Sequence, residues 1–434
     1  MIRFISIVLC IWILLGISIF ANEYDPPKIT KATYWYLYNI NNDRVMETSP
    51  NETYRIYPAS TVKIMTAIIA LEYYGTNITK EITVTAEPIR RITGNNIRLR
   101  NGEVTTAEAL INAVIVGGSN DATNVLAYDI AGGIAEFVVL MNEKARNIGC
   151  TNTVYTNPTG LHDDRMYTTL ADMAKISLYA YRLSRFMEMA SQRVYDMPPT
   201  NVSRSRPITN RNLFVTNHLD DRYYNPEAMG MNAGYTTQAG DCLITVVNHG
   251  GLIFLCIVTG AQRDEENTYS YIEAQRLLEW AYTTWDYITV LEDTSVVCEA
   301  PVKLSNNADT IAFYPQYKVE LFLPINTDVE KDVDKVFTMY ETEYSAPIES
   351  GMEGGLLSLY YKGELVSRVP LVTKNHVDES RAMYFSEFAG NIVSARWFWT
   401  TAGIAAVVIT CYIFVNAALR YNRQKRKQMR KKTK

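Results

Sequence analysis

A serine followed three residues later by a lysine is the feature of this 434-residue chain that most directly indicates chemistry. Pro58 is typical of a helix start, and apolar side chains recur at helical spacing over residues 64–71, which predicts a buried helix from about Ser60. Three residues are nearly one turn, so the Ser60 hydroxyl and the Lys63 amine share one face at the positive end of the helix dipole. A half-buried lysine can have its pKa lowered enough to accept a serine proton, which makes Ser60 a candidate nucleophile and Lys63 its candidate base.

The same pair also has an ordinary structural interpretation. Ser60 could be a helix N-cap and Lys63 a solvated charge, and an isolated Ser-x-x-Lys favours that interpretation because short motifs often match by chance. The remainder of the sequence has to decide between the two.

The elements that would position this pair can be predicted from the hydrophobic pattern on both sides of it. Two strands around a turn are predicted over residues 33–46, and a hairpin with continuous apolar runs is predicted over residues 243–258. Between them we expect a short strand at residues 82–85, an edge strand and turn at residues 97–103, and otherwise helices. An amphipathic helix over residues 273–285 closes the region. Strands at both ends with helices between them indicate one antiparallel sheet flanked by helices, in a domain that spans residues 27–288.

A second, smaller domain is predicted over residues 291–375. Its short apolar runs are separated by clusters of Asn, Pro, Gly and Asp, without a helical period between them. This pattern is typical of a small all-β domain. We find no catalytic constellation in it, so a spacer is the expected role, and residues 376–396 are predicted to link it to the C-terminal segment.

Both termini carry signals for export and membrane attachment. Residues 1–21 combine a basic start with an apolar run, which predicts a signal peptide, with an uncleaved signal anchor as the alternative. Residues 397–419 contain no charged side chain and are long enough to span a bilayer. The tail over residues 420–434 carries nine Lys and Arg and no acid, so the positive-inside rule makes it cytoplasmic.

The charge balance outside that tail argues against nucleic-acid binding. Of the 42 Lys and Arg residues, 33 remain after the tail is set aside, against 46 Asp and Glu. Such an acidic region would repel nucleic acid, and the basic tail is better matched to anionic lipid headgroups.

The sequence also lacks a C-x-x-C pair and an H-E-x-x-H motif, so neither a metal site nor a zinc peptidase is expected. His162 is interpreted as a structural loop residue, because Lys63 already offers a base.

Three further stretches, in a fixed order along the chain, give the serine and lysine a context. They are Asn120-Asp121-Ala122, the loop Asn157-Pro158-x-Gly160-Leu161-His162, and Asn232-Ala233-Gly234-Tyr235-Thr236. With Ser60-x-x-Lys63 they resemble the low-molecular-mass penicillin-binding proteins, which are serine-type D-alanyl-D-alanine carboxypeptidases. The likeness covers about residues 27–375. It implies an α/β penicillin-binding/β-lactamase-like domain followed by a small all-β domain and a C-terminal transmembrane helix.

The resemblance also implies roles for particular residues. Ser60 would be the nucleophile and Lys63 the general base, and no metal or organic cofactor would be needed. The substrate would be the stem peptide of peptidoglycan, β-lactam antibiotics would inhibit, and the catalytic domain would lie outside the cytoplasm on a membrane-anchored chain. The other catalytic residues would be Ser119 and Asn120, and the substrate-binding residues would be Asn232, Ala233, Gly234, Tyr235 and Thr236.

Two of the motifs depart from the family pattern. In the register set by Asn120, the position of the family's hydroxyl is occupied by Gly118, and Ser119 is one residue away. Asn232 and Ala233 stand where the family has Lys and Thr, which are associated with the substrate's terminal carboxylate. Two alternatives therefore stay open: a catalytically impaired relative that binds wall peptide or a partner, and an acyl-serine hydrolase of different specificity.

Overall fold

The structure is a computed structural model that describes residues 24–50 and 52–432. The predicted signal peptide or signal anchor over residues 1–21 lies outside the described residues. The chain divides between Asp286 and Tyr287 into two compact units, close to the boundary predicted between residues 288 and 291.

Unit 1 is built on a five-stranded antiparallel sheet with the strand order β2-β1-β9-β8-β7. The order brings the two ends of the unit together, because the first strand pairs with the last, as the sequence predicts. Two small pairs, β3-β4 and β5-β6, lie outside this sheet. The strands are β1 (Tyr34–Asn39), β2 (Arg44–Thr48), β3 (Glu81–Thr83), β4 (Val104–Thr106), β5 (Val194–Met197), β6 (Arg206–Thr209), β7 (Ala228–Thr236), β8 (Gly240–His249) and β9 (Leu252–Ala261).

Helices cover both faces of this sheet. Leu255 and Ile257 belong to the main hydrophobic core with the helices between β2 and β7, while the alternate residues Phe254 and Cys256 are buried on the opposite face, where α7 packs against β9. The helices are α1 (Lys63–Tyr74), α2 (Ala107–Ile115), α3 (Asn120–Ala131), α4 (Ile134–Ile148), α5 (Leu170–Tyr181), α6 (Ser184–Ala190) and α7 (Tyr269–Thr284). Ten of the twelve residues of α1 are buried, so this helix lies within the core.

Two parts of unit 1 differ from the prediction. The middle region is not helical throughout, because the β5-β6 hairpin interrupts it. Residues 97–103 do not form an edge strand. The backbone N–H groups of Ile97 and Leu99 donate to the Asp121 carboxylate instead of to a neighbouring strand (3.1 and 2.9 Å). A single side chain thus holds a segment whose sequence favours a strand.

Unit 2 contains the all-β domain predicted from the sequence. Its six-stranded sheet has the order β14-β16-β17-β12-β11-β15, and β10 pairs with β13 beside it. Phe313, Leu357 and Leu371 are fully buried in its core. The strands are β10 (Trp285–Leu291), β11 (Cys298–Lys303), β12 (Thr310–Pro315), β13 (Val319–Pro324), β14 (Val333–Met339), β15 (Tyr344–Ser345), β16 (Glu353–Tyr361) and β17 (Glu364–Thr373).

Three helices complete unit 2: α8 (Val329–Asp332), α9 (Arg381–Ser394) and α10 (Arg396–Lys432). The predicted linker over residues 376–396 is more ordered than expected, because Val377 is buried and bridges to Ile348, and α9 follows. Within the described residues, α10 is the one helix that by itself is long and apolar enough to cross a membrane, over Arg396–Arg426. The predicted span at residues 397–419 lies inside it.

Candidate active site

The serine and the lysine meet at the start of the central helix. A 3-10 turn over Ala59–Val62 carries Ser60 and leads directly into α1, whose first residue is Lys63. The Lys63 Nζ lies 3.2 Å from Ser60 Oγ and donates to the backbone carbonyl of Thr159 at 2.6 Å. The lysine is 1% exposed, and this burial lowers its pKa from 10.5 to about 7. A large fraction of the amine is therefore neutral near neutral pH and can accept the Ser60 proton.

Close backbone contacts fix the position of Ser60. Ala59 has a φ of 49°, an uncommon conformation for a residue with a side chain. Gly160 lies against it, because a Cβ at Gly160 would overlap the carbonyl oxygen of Ala59. On the other side, a Cβ at Gly234 would lie 2.6 Å from Ser60 Cβ and 2.8 Å from Ser60 N. These two glycines allow the 157–162 loop and β7 to come close to the nucleophile.

The structure does not bring Ser119 into the cleft beside Ser60. Ser119 precedes α3, is fully buried, and donates its hydroxyl to the Asp121 carboxylate. That carboxylate also accepts the backbone N–H groups of Ile97 and Leu99. Ser119 therefore helps to hold Asp121, which in turn binds the 97–99 segment. The hydroxyl is directed at that carboxylate and not at the cleft, so it does not lie where the expected catalytic role would require.

Asn120, in contrast, does reach the cleft. Its side-chain Nδ2 donates to the carbonyl of Thr93 at 2.7 Å, which fixes the amide plane. Its Oδ1 is buried and has no hydrogen-bond partner among the described residues. Asn120 lines the cleft together with Gly118.

The expected substrate-binding residues lie on β7, at the edge of the sheet, where the strand passes Ser60. Ala233, Gly234, Tyr235 and Thr236 all line the cleft. Asn232 is 5% exposed, and its Oδ1 has no partner among the residues that the structure describes. Four of the five residues predicted for this role therefore contribute to the cleft wall. The fifth, Asn232, stands in the position of the family's lysine and is uncharged.

Together these elements enclose a cleft of about 660 Å³ with Ser60 in its wall. Its charged side chains are of both signs, and the acids outnumber the bases. The cations are Arg211, Arg222 and Arg263, and the acids are Asp220, Asp241, Asp264, Glu265 and Glu266.

His162 is not part of this constellation. Its Nε2 bonds to Asp164 at 3.0 Å, and its ring packs edge-on against Tyr57 at 4.8 Å. These are the contacts of a structural loop residue. Within residues 24–50 and 52–432, no group of three His, Cys, Asp or Glu side chains is placed to hold a metal ion.

Comparison with known families identifies the chain. The sequence model for D-alanyl-D-alanine carboxypeptidase matches residues 21–263, more than half of the chain. The chain belongs to this family. A second model, for the C-terminal domain of penicillin-binding protein 5, matches residues 285–379. The resemblance inferred from the motifs is thereby confirmed, and the all-β unit is the C-terminal domain that accompanies the carboxypeptidase domain.

Individual carboxypeptidases of the family are similar over most of their length. The chain is 26% identical to D-alanyl-D-alanine carboxypeptidase DacF of Bacillus subtilis over 77% of this chain and 83% of that protein. It is 27% identical to DacA of Haemophilus influenzae over 82% and 87%. Penicillin-binding protein 5 from H. influenzae has the same fold, with a TM-score of 0.59 at 23% identity over 82% of this chain and 99% of that one. Penicillin-binding protein 6B from Escherichia coli gives a TM-score of 0.61 at 21% identity over 81% and 98%.

Sequence reasoning missed three contributors to the carboxypeptidase site. The Thr159 carbonyl orients Lys63, and Gly160 allows the close approach to Ala59. Asn157 holds this loop in shape, since its Oδ1 accepts the backbone N–H groups of Thr159 and Gly160 at 3.2 and 2.8 Å. The Asn-Pro-x-Gly turn was visible in the sequence, but contact with the Ser60 helix, about 100 residues earlier, is a tertiary feature that no local pattern encodes.

Proposed function

We propose that this chain is a serine-type D-alanyl-D-alanine carboxypeptidase that removes the terminal D-alanine of peptidoglycan stem peptides through an acyl-enzyme on Ser60. Family membership supports the reaction class. The observation that carries the proposal is the buried Lys63 amine 3.2 Å from the Ser60 hydroxyl. A serine needs a base to become a nucleophile, and this lysine has the pKa that a base at neutral pH requires.

In the first half of the reaction, Ser60 Oγ bonds to the carbonyl carbon of the penultimate D-alanine, and its proton passes to Lys63 Nζ. The C–N bond to the terminal D-alanine then breaks, and the leaving amine takes the proton from Lys63. In the second half, water attacks the Ser60 ester, releases the shortened peptide and restores the hydroxyl. Every proton is returned, so the cycle needs no external reductant, oxidant or cofactor.

Backbone donors near Ser60 would stabilise the oxyanion that forms at the carbonyl. β7 is an edge strand, so the N–H groups on its free side are not used by the sheet. β7 passes Ser60 at Gly234, whose lack of a side chain allows the approach. Preorganised donors of this kind contribute about 2.7–4 kcal/mol each to transition-state stabilisation.

The same proposal includes attachment to the cell membrane through α10. Residues 397–419 of the helix are apolar over the length of a bilayer, and the basic residues that follow them in the sequence support a cytoplasmic C-terminus with the carboxypeptidase unit outside the cytoplasm.

The test is intact-protein mass spectrometry of the detergent-solubilised chain after incubation with benzylpenicillin, with Ser60→Ala as the matched variant. We expect one covalent adduct per chain in the native protein and none in the variant. A well-folded native protein that forms no adduct would refute the assignment of Ser60.

One observation favours a second candidate function, binding of wall peptide without efficient turnover. Asn232 and Ala233 supply neither a cation nor a hydroxyl to the cleft. If this candidate is correct, the adduct forms but a D-alanine-terminated peptide is not shortened during prolonged incubation. Release of free D-alanine at many turnovers per chain would exclude it.

A further inference from the structure

A second cavity adjoins the cleft, and the proposed reaction does not use it. It has a volume of about 690 Å³ and shares three lining residues, Arg222, Asn267 and Tyr271, with the cleft that contains Ser60. This volume lies within the range of about 300–1,000 Å³ that is usual for small-ligand sites. A molecule bound in the cleft can therefore extend into it. We call it the tyrosine cavity, because its wall includes Tyr223, Tyr224, Tyr271 and Tyr282.

One wall of the tyrosine cavity is a single face of α7. Four of the residues that line it follow one another along this helix at spacings of four, four and three, which places them on one side: Tyr271, Gln275, Glu279 and Tyr282. The backbone N–H and C=O groups inside a helix are used by its own hydrogen bonds, so this wall offers no row of partners to an extended peptide. Recognition in the cavity therefore depends on side chains.

The tyrosine rings are held in place by their neighbours. The ring of Tyr282 stacks on that of His249, with 4.1 Å between the ring centroids and 19° between the ring planes. The Arg193 guanidinium lies over the ring of Tyr224, 4.8 Å from its centroid. Rings that are fixed in this way lose little further freedom when a ligand packs against them, so the contact surface is preorganised.

The two bases that line the tyrosine cavity are already paired. Arg222 Nη2 bonds to Asp220 at 2.7 Å, and Arg276 Nη1 bonds to Glu273 at 3.1 Å. Both guanidinium groups are therefore committed to carboxylates of the protein, and the cavity does not select a negatively charged ligand.

The two acids in the wall also have partners, but they keep the capacity to accept hydrogen bonds. Glu227 bonds to His249 Nδ1 at 2.8 Å, and Glu279 accepts from Gln275 Nε2 at 2.8 Å. A carboxylate has about four lone-pair positions, so each acid can accept further bonds from hydroxyl or amide donors. The cavity thus combines aromatic rings with hydrogen-bond acceptors, which favours a neutral ligand that carries polar groups.

We propose that the tyrosine cavity binds a sugar of the glycan strand to which the stem peptide is attached. The inference rests on the proposed function, which places the stem peptide in the adjoining cleft. A pyranose ring presents C–H groups on its faces, and these pack against the negative faces of aromatic rings. Its hydroxyl and N-acetyl N–H groups lie at the edge of the ring, where they donate to the carboxylates of Glu227 and Glu279.

The length of the substrate agrees with this placement. Four amino acids separate the sugar from the bond that is cleaved, and four extended residues span at most about 14 Å. The sugar must therefore lie in the immediate surroundings of the cleft when the peptide reaches Ser60. A sugar contact there selects peptides that are attached to a glycan over free peptides.

The experiment measures binding of tetra-N-acetylchitotetraose, a peptide-free saccharide with N-acetyl groups, to the full chain by saturation-transfer NMR in a detergent without a sugar headgroup. We expect a dissociation constant of about 1 mM, because a few ring contacts and hydrogen bonds give only weak affinity. Binding should persist after the chain is acylated by benzylpenicillin, since that label occupies the cleft and not the tyrosine cavity.

Variants of Tyr282 assign the binding to the tyrosine cavity. Tyr282→Ala should weaken it by roughly 5- to 10-fold, as for a lost aromatic contact, whereas Tyr282→Phe keeps the ring and should bind as the native chain does. Tyr73→Ala is the matched control and should leave binding unchanged, because Tyr73 is 54% exposed on α1 and does not line the cavity. Hydrogen exchange of the native chain needs no variant, and the saccharide should slow it at residues 222–227.

The outcomes separate this inference from the proposed function. A benzylpenicillin adduct without saccharide binding by the native chain would overturn the inference and leave the proposed function intact. Binding that is unchanged in a folded Tyr282→Ala, that disappears on acylation, or that slows exchange only outside residues 222–227 would place the saccharide elsewhere and would also overturn the inference. Saccharide binding without an adduct would overturn the proposed function, and with it the assignment of the sugar as part of the substrate.

Discussion

At the scale of single residues, the proposed chemistry depends on a buried lysine, Lys63, that has no acidic partner among the described residues. Burial alone accounts for the lowered pKa of Lys63, since desolvation penalises the ammonium form. The unfolded chain binds more protons than the folded chain between about pH 7 and pH 10.5, so this group makes folding more favourable as pH rises through that window. The burial of Lys63 thus opposes folding at lower pH, and the same burial makes its amine able to act as a base near neutral pH.

The pH dependence of acylation follows from this pKa. Because only the neutral amine accepts the serine proton, the rate constant for benzylpenicillin should rise about tenfold per pH unit below pH 7 and level off above it. Mass spectrometry over about pH 5.5 to 9 would measure the profile. Lys63→Arg, which stays protonated, should remain inactive throughout, and a flat profile in the native protein would argue against Lys63 as the base.

Ser119 and Asp121 allow a second prediction at this scale. Ser119→Ala should acylate within about threefold of the native rate, since the hydroxyl is directed at Asp121 and not at the cleft. Asp121→Asn should lower the free energy of unfolding by about 2–3 kcal/mol, because the carboxylate accepts two backbone N–H groups of the 97–99 segment.

Thermal unfolding and acylation of both variants, measured side by side, would check this pair of expectations. A hundredfold loss of acylation in Ser119→Ala at an unchanged melting temperature would instead give the hydroxyl a part in the reaction.

At the scale of elements, the sequence predicts well where local periodicity is strong. The Ser60 helix, the hairpin of β8 and β9 and the all-β character of unit 2 agree with the prediction, because apolar spacing and turn residues determine them. The β5-β6 hairpin was missed because its strands have four residues each, too few for a period to emerge. The sequence predicts an edge strand and turn over residues 97–103 because the local pattern favours one. The carboxylate that accepts the backbone N–H groups of this segment belongs to Asp121 on a separate helix, which a local pattern does not reveal.

The contact between β7 and the 3-10 turn that carries Ser60 gives the prediction at this scale. In Gly234→Ala the new methyl would meet Ser60 Cβ at 2.6 Å, so β7 must move away from the nucleophile. Acylation should fall by roughly 100-fold, since small displacements of catalytic groups have effects of that size. Gly390→Ala, a glycine with no atom within 4 Å of the added Cβ, serves as the neutral comparison. Native-like acylation by Gly234→Ala would mean that β7 does not help to form the site.

At the scale of the whole molecule, the candidate active site and the candidate membrane span belong to different parts of the chain. The residues of the candidate site lie between Ser60 and Arg263, within unit 1, and the candidate membrane span follows the all-β sheet in unit 2. Family models match the two parts separately as well. We therefore expect the reaction not to depend on the C-terminal helix.

Removal of residues 396–434 tests that separation. The shortened protein should leave the membrane fraction after an alkaline carbonate wash and should acylate within about twofold of the full chain, because no site residue is lost. Retention in the membrane pellet would point to another attachment, either the N-terminal segment as an uncleaved anchor or the exposed aromatic side chains of α9, such as Phe385 and Phe388.

The nucleophile lies on the turn that leads directly into the buried helix α1, and this placement has a consequence for how activity is lost during unfolding. Elements with exposed backbone open in local fluctuations, whereas a helix buried on nearly every side exchanges its amide hydrogens only when the domain unfolds as a whole. Loss of β-lactam labelling during denaturation should therefore coincide with global unfolding and not precede it. The label would then serve as a direct count of native molecules in a mixed population.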